Sequence, residues 1–131
     1  MTQTINKEVP GLTIEQTSVQ DNECIKFTFK GCFTNKQAVK AADEWKKLFE
    51  TQNRKTIVVF DCLQMTDYEP LARGTWQQTI TFLKTKIDTI WVITDSKVIA
   101  AGATIMGMFT SFTIKTVNSE SKIDFTKMSV N

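Results

Sequence analysis

The stretch Val98–Phe109, VIAAGATIMGMF, runs for twelve residues without a charge, in a chain where 23% of residues are charged. Drawn as a helix it is apolar or small on every side, and a helix of that kind is normally buried all round. A chain of 131 residues is one domain by size, residues 1–131, and one domain has few places to bury a helix that way. Something has to cover the second side: the chain's own tail, a twin subunit or a ligand. At about 100° per residue, Val98, Ile99, Gly102, Ile105, Met106 and Phe109 fall on one side. Ala100, Ala103, Thr104 and Gly107 fall on the other, with Ala101 and Met108 flanking. The bulky side is expected to meet a sheet. The small side admits close approach by another helix or strand.

Composition narrows the function classes. A formal net charge of +2 is too mild to argue for nucleic acid. Arg54 and Arg73 are the only arginines, so no phosphate-gripping cluster of guanidinium forks is available. Cys24, Cys32 and Cys62 are an odd number without CxxC spacing, which suggests neither a disulfide framework nor a metal site. The chain has no histidine, the usual general base and metal ligand. No cofactor is expected. The N-terminal MTQTINKEVPGL lacks the apolar core of a secretory signal. Val98–Ile114 is uncharged for seventeen residues, the lower edge of a membrane span, but it carries three threonines, a serine and two glycines. It reads as a buried element of a protein without a transmembrane segment, in a reducing, cytoplasmic compartment.

Hydrophobic periodicity sets the order of elements. Leu12 and Ile14 alternate with polar residues. Ile25, Phe27 and Phe29 alternate with Lys26, Thr28 and Lys30 beyond the polar turn Gln20–Glu23. The two runs predict an antiparallel hairpin with one wet face. Thr34 and Gln37 have capping-box spacing. The helix they start puts Ala38, Ala41, Ala42, Trp45, Leu48 and Phe49 on one stripe. Thr56–Phe60 and Thr89–Thr94 are unbroken apolar runs, the pattern of central parallel strands buried on both faces. Between them, Asp61–Glu69 reads as a loop, followed by a helix opening at Pro70 with Ala72, Trp76, Thr79, Ile80, Leu83 and Ile87 on one face. Leu71 and Phe82 lie off that stripe and suggest a second contact. Asp95 or Ser96 caps the uncharged helix. Phe112, Ile114 and Val117 suggest a last strand. Residues 1–10 are expected to be flexible. Residues 119–131, with Ile123, Phe125 and Met128, are expected to dock as a short helix or strand, or to fray. The fold class is α/β: a four- to five-stranded mixed sheet, an N-terminal antiparallel hairpin followed by parallel βαβ units, with three or four packed helices.

In such a sheet the strand-to-helix loops gather at one rim, where sites form. Asp61, Asp67, Glu69 and Asp95 are its carboxylates. Asp67 and Asp95 stand where helix caps belong, and Glu69 stands four residues before Arg73, a favourable helical pair, so capping and pairing explain them better than acid–base chemistry. Cys62 has no histidine to activate it and reads as an inert thiol. Gly102 and Gly107 lie inside a helix, which is no phosphate cradle. Ser96 at a helix start reads as a cap, with a small anion as the alternative. An apolar ligand would call on Trp91, Met106, Met108, Phe109 and Phe82, with Tyr68 or Arg73 at the mouth.

From Met65 onward the chain resembles the SpoIIAA-like (STAS-like) family of small bacterial domains. The residues that carry the resemblance are TDYEPLARGTW (66–76), IWVITDSK (90–97) and AGATIMGMFTSF (101–112). The resemblance implies a four- or five-stranded sheet with helices packed on it and a role as a binding or regulatory module. The related SEC-fourteen-like (CRAL-TRIO) fold adds a hydrophobic ligand by fold analogy. One departure matters. Anti-sigma antagonists of that superfamily carry a phosphorylatable serine in a D-S-S-G-type turn, whereas this chain has Thr66-Asp67-Tyr68-Glu69-Pro70 there. Phosphate on Thr66 would meet like charge from Asp67 and Glu69, so the phospho-switch does not transfer.

The residues together predict a non-enzymatic module that binds a second copy, a regulatory partner or a small apolar ligand. The candidate residues are Asp67, Tyr68, Arg73, Ser96, Ala100, Ala103, Thr104, Gly107 and Met108.

Overall fold

In the computed structural model the described residues are 6–9, 11–110, 112 and 114–124. They form a mixed sheet of six strands in sequential order. The strands are β1 (Asn6–Val9), β2 (Leu12–Val19), β3 (Asn22–Phe33), β4 (Thr56–Tyr68), β5 (Ile87–Ile93) and β6 (Ile114–Val117). Helices α1 (Asn35–Phe49), α2 (Pro70–Phe82) and α3 (Lys97–Thr110) link the last four strands. β1–β2 and β2–β3 pair antiparallel, and every later pair is parallel. The mixed α/β class is as expected. β1 is an added edge strand, lying in the segment expected to be flexible. The expected contributions of Phe125 and Met128 lie outside the described residues.

Each parallel step moves to the next strand in the same direction. Repeated right-handed crossovers of that kind place their helices on one face. One core cluster accordingly joins residues of all three helices to Ile14, Phe27, Phe60 and Val92 of the sheet. The period-two pattern of β3 sends Ile25, Phe27 and Phe29 to this face. The capping box of α1 is present: Gln37 N donates to Thr34 Oγ1 at 3.2 Å and Thr34 N donates to Gln37 Oε1 at 3.0 Å. It fixes the start of the helix, so that Ala38, Ala41, Ala42, Trp45 and Phe49 are buried. Phe27 meets Trp45 at 4.8 Å, Phe60 at 5.2 Å and Trp76 at 5.6 Å between ring centroids. Each of these contacts is edge-on, the geometry aromatic quadrupoles favour, worth about 0.5–1.5 kcal/mol beyond area burial.

The opposite face explains why the central strands are buried twice over. Val59, Trp91 and Ile93 there pack with Val19, Cys24 and Ile123. Ile123 follows a short 3-10 helix, Glu120–Lys122, laid across this face. Gln20, at the left-handed β2–β3 turn, donates from Nε2 to the carbonyls of Glu120 (3.1 Å) and Ile123 (3.3 Å). Lys26 Nζ reaches Glu120 Oε1 at 2.8 Å and Asp61 Oδ2 at 3.7 Å. Burial disfavours the Lys26 ammonium, but Glu120 and then Asp61 and Glu15 outweigh it, and the net shift is above the ordinary lysine range. A raised lysine contributes fully below its unfolded pKa and is lost only as pH climbs through the folded value, so the lysine side of this tie is constant across neutral pH. The described part of the tail therefore covers the sheet, not the uncharged helix.

The loop expected over Asp61–Glu69 is a correction. β4 continues as strand to Tyr68, paired with the long β3 up to Phe33↔Tyr68. Two register shifts, at Thr28/Lys30 and Gly31/Cys32, let the pair run on, and Gly31 takes the left-handed φ of 75° that favours glycine. Polar residues hide such a strand from periodicity, because its outer face stands in solvent.

Ile123→Ala is expected to destabilise by about 2–4 kcal/mol, the range for truncating a buried isoleucine. Glu120→Gln, which breaks a half-exposed ion pair, is expected to cost under about 1 kcal/mol. Urea unfolding of the two variants checks the difference, and equal losses would mean that the 3-10 segment is held by charge. Burial raises the Cys24 thiol to about 11 against the pull of Lys26, and raises Cys62 further still, with Asp61 adding to it, while Cys32 is exposed. A thiol reagent at pH 8 is expected to modify Cys32 rapidly and the other two only in denaturant.

Candidate functional site

The long β3–β4 ribbon overhangs the sheet and brings Phe33, Met65 and Tyr68 to the helix-covered side. There they meet Trp76 of α2 and Ile99, Gly102, Ala103 and Met106 of α3 around a cavity of about 50 Å³. Phe29, Phe60, Cys62 and Val92 supply its floor from the sheet, and Arg73 completes the wall. Except for the Tyr68 hydroxyl and the Arg73 guanidinium, the lining side chains are apolar.

Those two groups are mutually arranged. Arg73 Nη1 donates to the Tyr68 hydroxyl at 3.3 Å, and the guanidinium carbon lies 5.8 Å from the tyrosine ring centroid. Arg73 Nε is buried without a partner. The expected Glu69–Arg73 pair is not made. Glu69 Oε1 instead accepts from Asn35 N at 2.7 Å, placing a negative charge on the first turn of α1, where the helix dipole favours one. A Cβ on Gly102 would stand 2.6 Å from the Tyr68 hydroxyl oxygen, so any larger residue there has to push the tyrosine ring aside.

That close approach corrects the reading of α3. Its buried stripe is Ile99, Gly102, Ala103 and Thr110, with Met106 packed against the core. This is a rotation of roughly a sixth of a turn from the expected split, on the geometry of 3.6 residues per turn. Closeness to the sheet and to Tyr68 decides the face, and only small residues permit it. The larger Val98 and Phe109 are turned out, 64% and 71% exposed, and Met108 is 71% exposed. The helix is thus not buried all round.

The structure brings Tyr68, Arg73 and Ala103 together at the cavity and distributes the other candidates. Ser96 caps α3, its Oγ accepting from Ile99 N at 3.3 Å, while Asp95 is exposed. Asp67 is exposed and accepts from Tyr68 N at 2.8 Å. Ala100 is half-buried. Thr104 is exposed and donates to the Ala100 carbonyl at 3.1 Å. Gly107 is half-buried where the chain turns back toward β6, and a Cβ there would meet the Phe112 carbonyl at 2.8 Å. Met108 faces solvent. Of the ligand contacts expected, only Met106 joins Tyr68 and Arg73. Trp91 lies on the far side of the sheet, and Phe82, Met108 and Phe109 are exposed. Met65 is absent from the expected residues because Asp61–Glu69 read as a loop, and Phe33 because it lies beyond the alternation that ends at Lys30. Among the described residues no helix is long and apolar enough to cross a membrane.

A solved structure is similar to this chain: an uncharacterized protein of the DUF3478 family with a SpoIIAA-like fold, from Shewanella loihica PV-4. The TM-score is 0.69 at 11% sequence identity, over 92% of this chain and 94% of that one. No protein-family model and no curated protein matches the chain. At this identity the likeness concerns architecture, and the architecture is the one the sequence resemblance implied: a SpoIIAA-like fold.

Proposed function

We propose that this protein is a non-enzymatic binding module of STAS-like type, in a reducing cytoplasmic compartment, that associates with a second copy of itself through α3. The observation that carries this reading is the outward side of α3. Val98, Ala101, Ile105 and Met108 follow one another at spacings of three, four and three, with Phe109 beside them and Lys97 as the helix's one charge. Alternating spacings of three and four are the pattern by which helices pack on helices. The stripe has nothing to distinguish a partner's sequence from its own, and an antiparallel pair keeps the two Lys97 residues at opposite ends. Such a two-fold contact is self-complementary. The rim carboxylates support binding over catalysis by their dispersal: Asp61 turns to Lys26, Asp67 to Tyr68 N and Glu69 to Asn35 N.

A second reading, a carrier of a small apolar ligand, is favoured by one observation, the apolar cavity under Tyr68 and Arg73. It does not exclude the first, because α3 offers its inner side to the cavity and its outer side to solvent.

Light scattering across a concentration series tests the association. Met108→Glu is expected to weaken it at least about tenfold, or 1.4 kcal/mol, without lowering the melting temperature, since the side chain is exposed. Ala103→Glu is expected to unfold the protein by about 3 kcal/mol or more, because it buries an unpaired charge. A wild-type chain that stays monomeric at the highest concentrations would overturn self-association.

A further inference from the structure

We propose that the groove between α1 and α2 is a docking site for an amphipathic helix of another protein, one that carries carboxylates along the flank facing α1. This surface is separate from the outward side of α3 and does not depend on self-association.

The groove has two lips and a fixed width. Leu71, Thr75, Gln78 and Phe82 follow one another along α2 at spacings of four, three and four, one row on the side of a helix. Leu71 and Phe82, which lie off the core stripe of α2, are 68% and 70% exposed. Val39 lines the α1 side and is 56% exposed. The space between the helices is about 750 Å³, and its floor is the buried Ala42 and Thr79. At one end Thr75 Oγ1 donates to Asn35 Oδ1, and at the other Lys46 Nζ lies 4.8 Å from the centre of the Phe82 ring. In the core below, the indoles of Trp45 and Trp76 join the two helices at 5.2 Å. The groove is formed before anything binds, which spares an occupant the cost of ordering it. Apolar side chains gathered in one groove with charge at its edge mark an interaction surface.

The charge sits on one lip. Lys36, Lys40 and Lys46 line the α1 side, and α2 has no carboxylate. Asp43 also lines the groove but is paired with Lys47 at 3.2 Å. Among the described residues Lys36 and Lys40 make no ion pair. The α2 lip offers the neutral Thr75 and Gln78. The complement of this surface is a helix with Asp or Glu toward α1, aliphatic residues toward Val39 and Phe82, and uncharged polar residues toward α2. The backbone groups of α1 and α2 bond within their own helices, so an extended segment would find no partners for its N–H and C=O groups. A helix brings those bonds with it. Lys36 to Lys46 span about 15 Å of α1, so three turns of an occupant reach all three lysines. A second copy does not supply this helix, because α3 has no carboxylate. A flat membrane surface does not reach the floor between the lips.

Titration of the isotope-labelled full chain, followed by amide NMR shifts, tests the assignment. The probes are helical peptides of about fifteen residues, four turns. One has leucines at helical spacing and glutamates along one flank. A second has glutamines in place of the glutamates, and a third is the first with its order scrambled. A phosphatidylcholine vesicle containing phosphatidylserine is the remaining probe. Saturable shifts at Val39, Ala42, Gln78 and Phe82, with none at Ala101 or Met108, are expected with the glutamate peptide. Its binding is expected to be at least about tenfold tighter than that of either other peptide. Lys36→Gln combined with Lys40→Gln, both at exposed positions, is expected to weaken the glutamate peptide about fivefold and leave the glutamine peptide unchanged. Phe82→Ser is expected to weaken both. Equal binding of the glutamate and glutamine peptides would overturn the acidic partner, and shifts confined to α3 would overturn the groove. Groove shifts with the vesicle alone would make this face a membrane surface and overturn the helix. No saturable groove shift with any peptide would overturn the site. Light scattering of the chain alone reads self-association through α3 separately from all of these outcomes.

Discussion

The structure is organised around the aromatic contact at Phe27. Its ring sits at the centre of β3, touching Trp45 of α1, Phe60 of β4 and Trp76 of α2 within 6 Å between centroids. Trp45 and Trp76 are themselves 5.2 Å apart, so the two helices meet through their indoles over the sheet. Three alanines on α1, at 38, 41 and 42, let that helix settle close enough for the contact to form. Phe33 carries the same packing from Trp76 outward to the cavity, at 5.2 Å. The cavity is therefore where this aromatic packing runs out, between the overhanging ribbon and α3. Close packing elsewhere in the core leaves few voids, which gives the remaining one its definition.

How much of this was legible depended on whether a residue's neighbours lay close in sequence. The hairpin, the α1 capping box, the stripe ending in Phe49 and the two apolar strands were readable because alternation and helical spacing are local signals. The SpoIIAA-like architecture was legible from the order of the motifs after Met65. The overhanging β4 was not. Leu63, Gln64, Thr66 and Asp67 face solvent there, and what keeps them extended is pairing with β3 residues more than thirty positions earlier. The site was half legible for the same reason. Tyr68, Arg73, Met106 and Ala103 belong to it, yet the orientation of α3 hinges on Gly102 meeting the Tyr68 hydroxyl, a contact between distant segments. Counting hydrophobic bulk put Ile99, Gly102 and Met106 inside correctly but also Val98 and Phe109, because the close approach of Gly102 and Ala103 rotates the helix away from them.

The corrected α3 has two distinct sides. Ile99, Ala103 and Met106 face the cavity, whereas Val98, Met108 and Phe109 face solvent. A ligand below and a partner above would act on the same fourteen-residue helix.

The sequential strand order has a consequence for how the chain folds. Every strand pairs with the one made just before it, so each β–α unit meets its docking surface already formed and closes a short loop. One set of contacts breaks that economy. The bonds from Gln20 and Lys26 to Glu120 and Ile123 join residues 94 to 103 positions apart. They complete the apolar face over Val59, Trp91 and Ile93 by closing loops of about a hundred residues, the costliest closures in the fold. A chain cut before Glu120 would leave Val59, Trp91 and Ile93 uncovered, an apolar sheet face open to other molecules.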